Sequence, residues 1–187
     1  DAFYQAQLHA HDNILKAVDA GVTVFDLCGY NKTLYTIATS WDKENADGII
    51  HLDSTSLGAT SANVNCSFPE GYVQQNTHVG TTCSDPTHNH IDPHNMVDAS
   101  TGLLPDHTFY FYGQNHELSG QCTTVINLAV RLLLDDTFTS VYSYPDEYPQ
   151  FNNFATTRKL QSRVDEMKPY LEDESIPAED REALKLA

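Results

Sequence analysis

Apolar residues recur at helical spacing over residues 3–20, at Phe3, Ala6, Ala10, Ile14, Leu15 and Val18. Gly21 follows where a left-handed cap would end the helix. Residues 22–28, Val-Thr-Val-Phe-Asp-Leu-Cys, form a β-branched and aromatic run between Gly21 and Gly29, which predicts a buried strand. Helix, glycine and strand in that order make one αβ step of a parallel sheet. Residues 30–58 read as loop and turn. Residues 60–107 lack strong periodicity and carry Pro69, Pro86, Pro93 and Pro105 together with His78, His88, His90, His94 and His107. So long a stretch inside a compact domain is expected to be a functional insertion. The pattern recovers at Thr108-Phe-Tyr-Phe-Tyr112, a second strand, followed by the loop Gly113-Gln-Asn-His116-Glu117. Residues 119–135 predict a long helix whose apolar face carries Val125, Ile126, Leu128, Ala129, Leu132 and Leu133. Residues 140–154, rich in Tyr and Pro, are expected to wrap the surface, and residues 156–172 to form a last helix.

The fold class is α/β. Two or three strands bury too little surface to stand alone, so further strands are expected from an upstream segment or a companion chain. The expected division is a body over residues 1–155, with the Cys- and His-rich insertion at about 60–107, then a helix and acidic tail over 156–187.

Composition narrows this further. The chain has 187 residues, 40% apolar and 10% aromatic, which suits a globular core. Its net charge of −16 argues against nucleic acid and against an anionic membrane surface as partners. Eight acidic residues lie between Asp165 and Glu182, so part of that charge sits in the tail. The longest apolar stretch, residues 125–134, is interrupted by Asn127 and Arg131 and is too short to span a bilayer. The first residue is Asp1 rather than Met, from which a processed or excised segment is expected. Of the four cysteines, Cys66 and Cys83 flank a core-poor loop that a disulfide would hold, while the pairing of Cys28 and Cys122 stays open. Sequons occur at Asn31-Lys-Thr33 and Asn65-Cys-Ser67. Together these features lead us to expect a secreted protein, extracellular or in the cell envelope.

In an open parallel sheet, functional groups gather beyond the carboxyl ends of the strands. Asp47, in Asn45-Ala-Asp-Gly48, lies beyond the first predicted strand, and His116 lies four residues beyond the second. An acid followed by a histidine, each after a strand, matches the order Ser…Asp…His. In that chemistry a neutral imidazole takes the nucleophile's proton, and a buried carboxylate fixes its tautomer and stabilises the imidazolium. Taken singly, an Asp-Gly is a common turn and a histidine after an aromatic strand is commonly a packing or surface residue.

The segment Asn45-Ala-Asp-Gly-Ile-Ile-His-Leu-Asp-Ser-Thr-Ser-Leu-Gly58 resembles the triad-acid stretch of lipases and related carboxylesterases, enzymes of the α/β-hydrolase fold. Residues 104–116 resemble the strand and histidine loop of the same enzymes, and residues 132–145 the helix and tail that follow. The likeness touches residues 3 to about 150 in patches. It implies the C-terminal part of a three-layer α/β-hydrolase sandwich that hydrolyses carboxylic esters, with Asp47 as triad acid and His116 as base. An ester or lipid-like small molecule would be the substrate, and no cofactor is required.

The chain departs from the family pattern in lacking any G-x-S-x-G. Ser56, Ser61 and Ser119 lie near glycines without the strand-turn-helix setting of a nucleophile elbow. The nucleophile and the oxyanion-hole loop are therefore expected upstream, and the segment is expected to stay bound to that upstream part.

A second constellation is His88-Asn-His90-Ile-Asp92-Pro-His94, with His78 and Asp85 nearby. Imidazoles and carboxylates at such spacing suit zinc or another transition metal, and His88, His90 and His94 are its weak candidate ligands. The alternative is a polar loop of solvated or hydrogen-bonded histidines. If the metal reading held alone, the protein would be a secreted metal-binding or recognition module rather than an enzyme. Asp53, six residues past Asp47, is a candidate partner to the acid.

Overall fold

The computed structural model describes residues 9–33, 43–77, 85, 87–117 and 122–152. The chain divides into two compact units, 1–152 and 153–187. The second unit, and with it the expected last helix, lies outside the described residues, as do residues 1–8 of the expected first helix.

Helix α1 (Ala10–Asp19) ends where the glycine signal placed its end. Gly21, at φ +87°, donates its N–H to Val18 O at 2.9 Å, and Val22 donates to Ala17 O at 3.0 Å. These two bonds form a Schellman cap, and they explain why the following strand starts later than the apolar run suggests. Val22 is consumed by the cap, and sheet pairing begins only where Asp26 N donates to His107 O at 2.9 Å.

Strand β1 (Asp26–Tyr30) leads to a short helix α2 (Leu52–Thr55), then to the two-residue strands β2 (Thr60–Ser61) and β3 (Val97–Asp98). A 3-10 turn (Ala99–Thr101), β4 (Thr108–Tyr112), α3 (Thr123–Leu134) and β5 (Phe151–Asn152) complete the described chain. The main sheet has the order β1-β4-β5 and both pairings are parallel, with Asp26 opposite Thr108 and Tyr30 opposite Tyr112. The fold is thus mixed α/β around a parallel sheet. Strand β5 lies in the stretch expected only to wrap the surface, and two residues are too few for a period-2 pattern to appear in sequence.

Strand β4 is buried on both faces, as a central parallel strand should be. Tyr110 meets Tyr30 edge-on and stacks on Phe151, while Phe109 packs against Phe25 and Phe138. Cys28, Tyr30, Leu52, Ala59, Met96, Val97, Ala99 and Tyr110 form one apolar cluster. The aperiodic stretch is therefore not a surface appendage. Its residues Met96, Val97, Ala99, Leu103 and Leu104 are all buried.

Polar anchors replace regular pairing there. Asp92 accepts from the N–H groups of His94, Met96 and Val97 and from the Tyr30 hydroxyl at 2.9 Å. Asp98 accepts from the Tyr72 hydroxyl, from Gln75 N and from Ser100. Each carboxylate satisfies several backbone donors that would otherwise be buried unpaired.

Helix α3 buries Thr124, Val125 and Leu128. Ile126 and Leu133, expected on the inner face, are exposed, Leu133 at 84%. One turn position separates them from the buried row, so the apolar stripe is wider than the face covered by the described residues. Cys28, Cys66 and Cys122 are free thiols, and Cys83 lies outside the described residues. The expected Cys66–Cys83 cross-link is therefore not among the bonds the structure shows.

Candidate functional site

The turn that follows β1 positions Asp47. Lys32 and Ala46 exchange backbone hydrogen bonds at 2.9 and 3.0 Å, which closes the chain back beside the end of the strand. Asn45 reinforces this closure, since its Oδ1 accepts from Asn31 N at 2.7 Å and its Nδ2 donates to Ala62 O. The sequon residues Asn31 and Asn65 are bonded to each other through their side chains, and both adopt positive φ. Asp47 then opens a tight turn in which its N–H donates to Ile50 O at 3.1 Å, with Gly48 at φ +99°. Its Oδ1 accepts from Ile49 N at 2.9 Å and Ile50 N at 2.8 Å. The turn engages one carboxylate oxygen of Asp47 and leaves the other free to meet a partner.

That second oxygen, Oδ2, lies 2.8 Å from Nδ1 of His116. His116 arrives on the loop after β4, where Gly113 N donates to Tyr30 O at 2.8 Å and holds the loop against the end of β1. Asp47 is 3% exposed, whereas the His116 side chain is 43% exposed. A buried carboxylate against an open imidazole places Nδ1–H as donor to Asp47, leaving the Nε2 lone pair outward. Among the described residues Nε2 makes no hydrogen bond.

Both members of this pair thus stand where the sequence put them, at the carboxyl ends of adjacent parallel strands. Asp53 does not belong with them. It is exposed, and its Oδ1 accepts from Ser54 N at 2.8 Å. Ser56 is buried with its hydroxyl donating to Leu52 O and accepting from Ala59 N, a structural role. Ser61 lies in β2, and Ser119 is outside the described residues.

The histidine cluster is partly redrawn. His94 leaves it, its ring stacked on Tyr112 with centroids 3.9 Å apart. Asp92 is used by the backbone. His88 and His90 instead meet Asp106, which local spacing could not reveal because it lies far along the chain, just before β4. His90 is wholly buried and its Nε2 is 3.5 Å from Asp106 Oδ1. Burial lowers the His90 pKa, against an opposing pull from Asp106, so the ring is held toward its neutral form. No helix among the described residues is long and apolar enough to cross a membrane. In comparisons with family models, curated proteins and solved structures, nothing matches this chain.

Proposed function

We propose that this chain supplies the acid and base of a serine hydrolase of the α/β-hydrolase type that cleaves carboxylic esters. The observation that carries the proposal is the 2.8 Å contact between the buried, turn-held carboxylate of Asp47 and Nδ1 of His116. The two residues stand at the carboxyl ends of adjacent parallel strands, where such sheets place their chemistry. The resemblance of residues 45–58 and 104–116 to lipase and carboxylesterase segments supports the same reading.

In the proposed reaction, Nε2 of His116 removes the proton of a serine hydroxyl as that oxygen attacks the ester carbonyl carbon. Asp47 stabilises the imidazolium that forms. The tetrahedral intermediate collapses as Nε2 returns the proton to the departing alkoxide, which leaves as an alcohol. Water then repeats the cycle on the acyl-serine and releases the acid. The serine and the oxyanion-hole donors come, in this reading, from a segment preceding these residues or from a companion chain, which also completes the sheet. The acidic composition and paired sequons favour an extracellular or cell-envelope setting, and the substrate is an ester or lipid-like small molecule.

The test is labelling of the complete gene product with a serine-directed fluorophosphonate, repeated with His116→Ala and Asp47→Asn. The labelling rate is expected to fall on the order of 10³-fold or more in each variant. Undiminished labelling in both would overturn the proposal.

A further inference from the structure

At the end of the sheet opposite the dyad, the insertion is joined to the strands by two imidazoles and a carboxylate. One ligand-capable atom from each of His88, His90 and Asp106 lies within 4.8 Å of the others. The surroundings of the two imidazoles point to a cation among the three.

Gln150, at the start of β5, fixes the His90 tautomer. Its Nε2 donates to Pro105 O at 2.7 Å and Thr108 O at 3.1 Å, so its Oε1 is left as an acceptor. That oxygen lies 3.3 Å from Nδ1 of His90, which places the ring hydrogen on Nδ1. The lone pair of Nε2 then faces the Asp106 carboxylate at 3.5 Å, two electron-rich atoms in a fully buried setting. The separation is too long for a charge-assisted hydrogen bond, which closes to about 2.7–2.9 Å. It matches two ligands on one tetrahedral ion, which at bond lengths of about 2.0–2.2 Å stand about 3.3–3.5 Å apart. The Tyr142 hydroxyl lies 3.4 Å from both ring nitrogens of His90.

His88 supplies an independent indication. Its Nδ1 is buried and makes no hydrogen bond among the described residues. Its Nε2 is 3.8 Å from a carboxylate oxygen of Asp85. A buried ring nitrogen left without a partner, on a side chain that also offers a ligand atom to this cluster, is a donor position open to a cation. The His88 side chain is 31% exposed, so its ring is able to turn inward.

We propose that a ring nitrogen of His88, Nε2 of His90 and a carboxylate oxygen of Asp106 bind a divalent transition metal, zinc being the best match to a nitrogen-rich set. Gln150 orients the His90 imidazole. The ion pins the insertion to the edge of the sheet where β4 and β5 begin, and its role is structural. The inference is independent of the hydrolase reading, because its test reads binding alone.

The complete gene product, stripped with chelator, is titrated with zinc and with cobalt(II), and with calcium and magnesium as controls. Expected are one equivalent of zinc, a visible cobalt spectrum of four-coordinate type displaced by zinc, and a raised Tm with zinc alone. His88→Ala, at the most exposed of the three positions, is expected to weaken zinc binding at least about 100-fold and abolish the cobalt spectrum, given that outer-partner losses alone cost about 10–100-fold. Asp106→Asn, nearly isosteric, is expected to do the same. His94→Ala is expected to leave both intact. A His88→Ala protein with wild-type zinc affinity and cobalt spectrum would overturn the proposal, as would equal stabilisation by calcium or magnesium.

Discussion

Gly29 and Gln114 meet where no side chain fits: a Cβ on Gly29 would stand 2.6 Å from the Gln114 carbonyl oxygen. The contact lies two residues before His116 on its loop. Gly29 is therefore not merely the end of an apolar run but the gap that lets the loop bring His116 to Asp47. Gly29→Ala is expected to push residues 113–116 outward and lengthen the Asp47–His116 contact. Stability should fall by about 1–3 kcal/mol, as for other overpacked sites. Esterase turnover of the complete protein should drop by more than the lost folded fraction explains. Denaturant unfolding alongside kcat checks this, and a Gly29→Ala protein with normal kcat would show that the loop tolerates the displacement.

Asp47 has two separable duties, and two substitutions divide them. Asp47→Asn retains an oxygen for Ile49 N and Ile50 N but presents an N–H to Nδ1 of His116. The ring must then carry its hydrogen on Nε2, the wrong tautomer for a base. An expected loss in kcat of about 10⁴-fold, with little change in stability, follows. Asp47→Ala removes the turn acceptor as well, which adds a stability loss of about 1–2 kcal/mol. Equal stability losses in the two variants, measured by urea unfolding, would contradict this division.

Much of this was legible in the sequence, and the boundary of legibility is physical. Gly21 gave the helix end because a left-handed cap has a residue signature. The run at 108–112 gave β4 to the residue, since a strand buried on both faces is continuously apolar and aromatic. The juxtaposition of Asp47 and His116 was legible because both follow strands that pair in parallel, which brings their loops to one end of the sheet. Residues 60–107 were opaque because their order comes from Asp92 and Asp98, whose carboxylates collect backbone N–H groups without any repeating pattern. Asp106 was missed for the same reason, being joined to His90 only by the fold. Strand β5 was too short to register.

The Tyr30–Asp92 bond joins the last residue of β1 to this aperiodic segment at 2.9 Å. Burial and the Asp92 charge hold the Tyr30 phenol protonated, so it stays a donor. Tyr30→Phe removes one donor from a carboxylate that keeps three backbone N–H partners, and should cost about 1 kcal/mol. Asp92→Ala strands the phenol and those N–H groups together, and should cost on the order of 3 kcal/mol or more. Thermal unfolding of both variants provides the check. A smaller loss for Asp92→Ala than for Tyr30→Phe would deny Asp92 its organising role.

Asp26 gives the fold a pH dependence. Burial raises its pKa to about 6, even though the Cys28 thiol and the Leu27 N–H bond its charged form. Cys28 Sγ donates to Asp26 Oδ2 at 3.3 Å, and burial together with the Asp26 charge keeps that thiol protonated. An unfolded aspartate titrates near about 3.9. Between those two values the folded chain holds a proton that the unfolded chain has released. Stability from this group therefore falls as pH rises from about 4 to about 6, and stays reduced above. Asp26→Asn removes the penalty, and the variant should be more stable than the parent at pH 7 by on the order of 1–2 kcal/mol, allowing for solvent at a half-buried side chain. At pH 4 the two should nearly coincide. Urea unfolding of both proteins across that range measures the difference directly. A gap that does not widen with rising pH would mean that Asp26 folds with an ordinary carboxyl pKa.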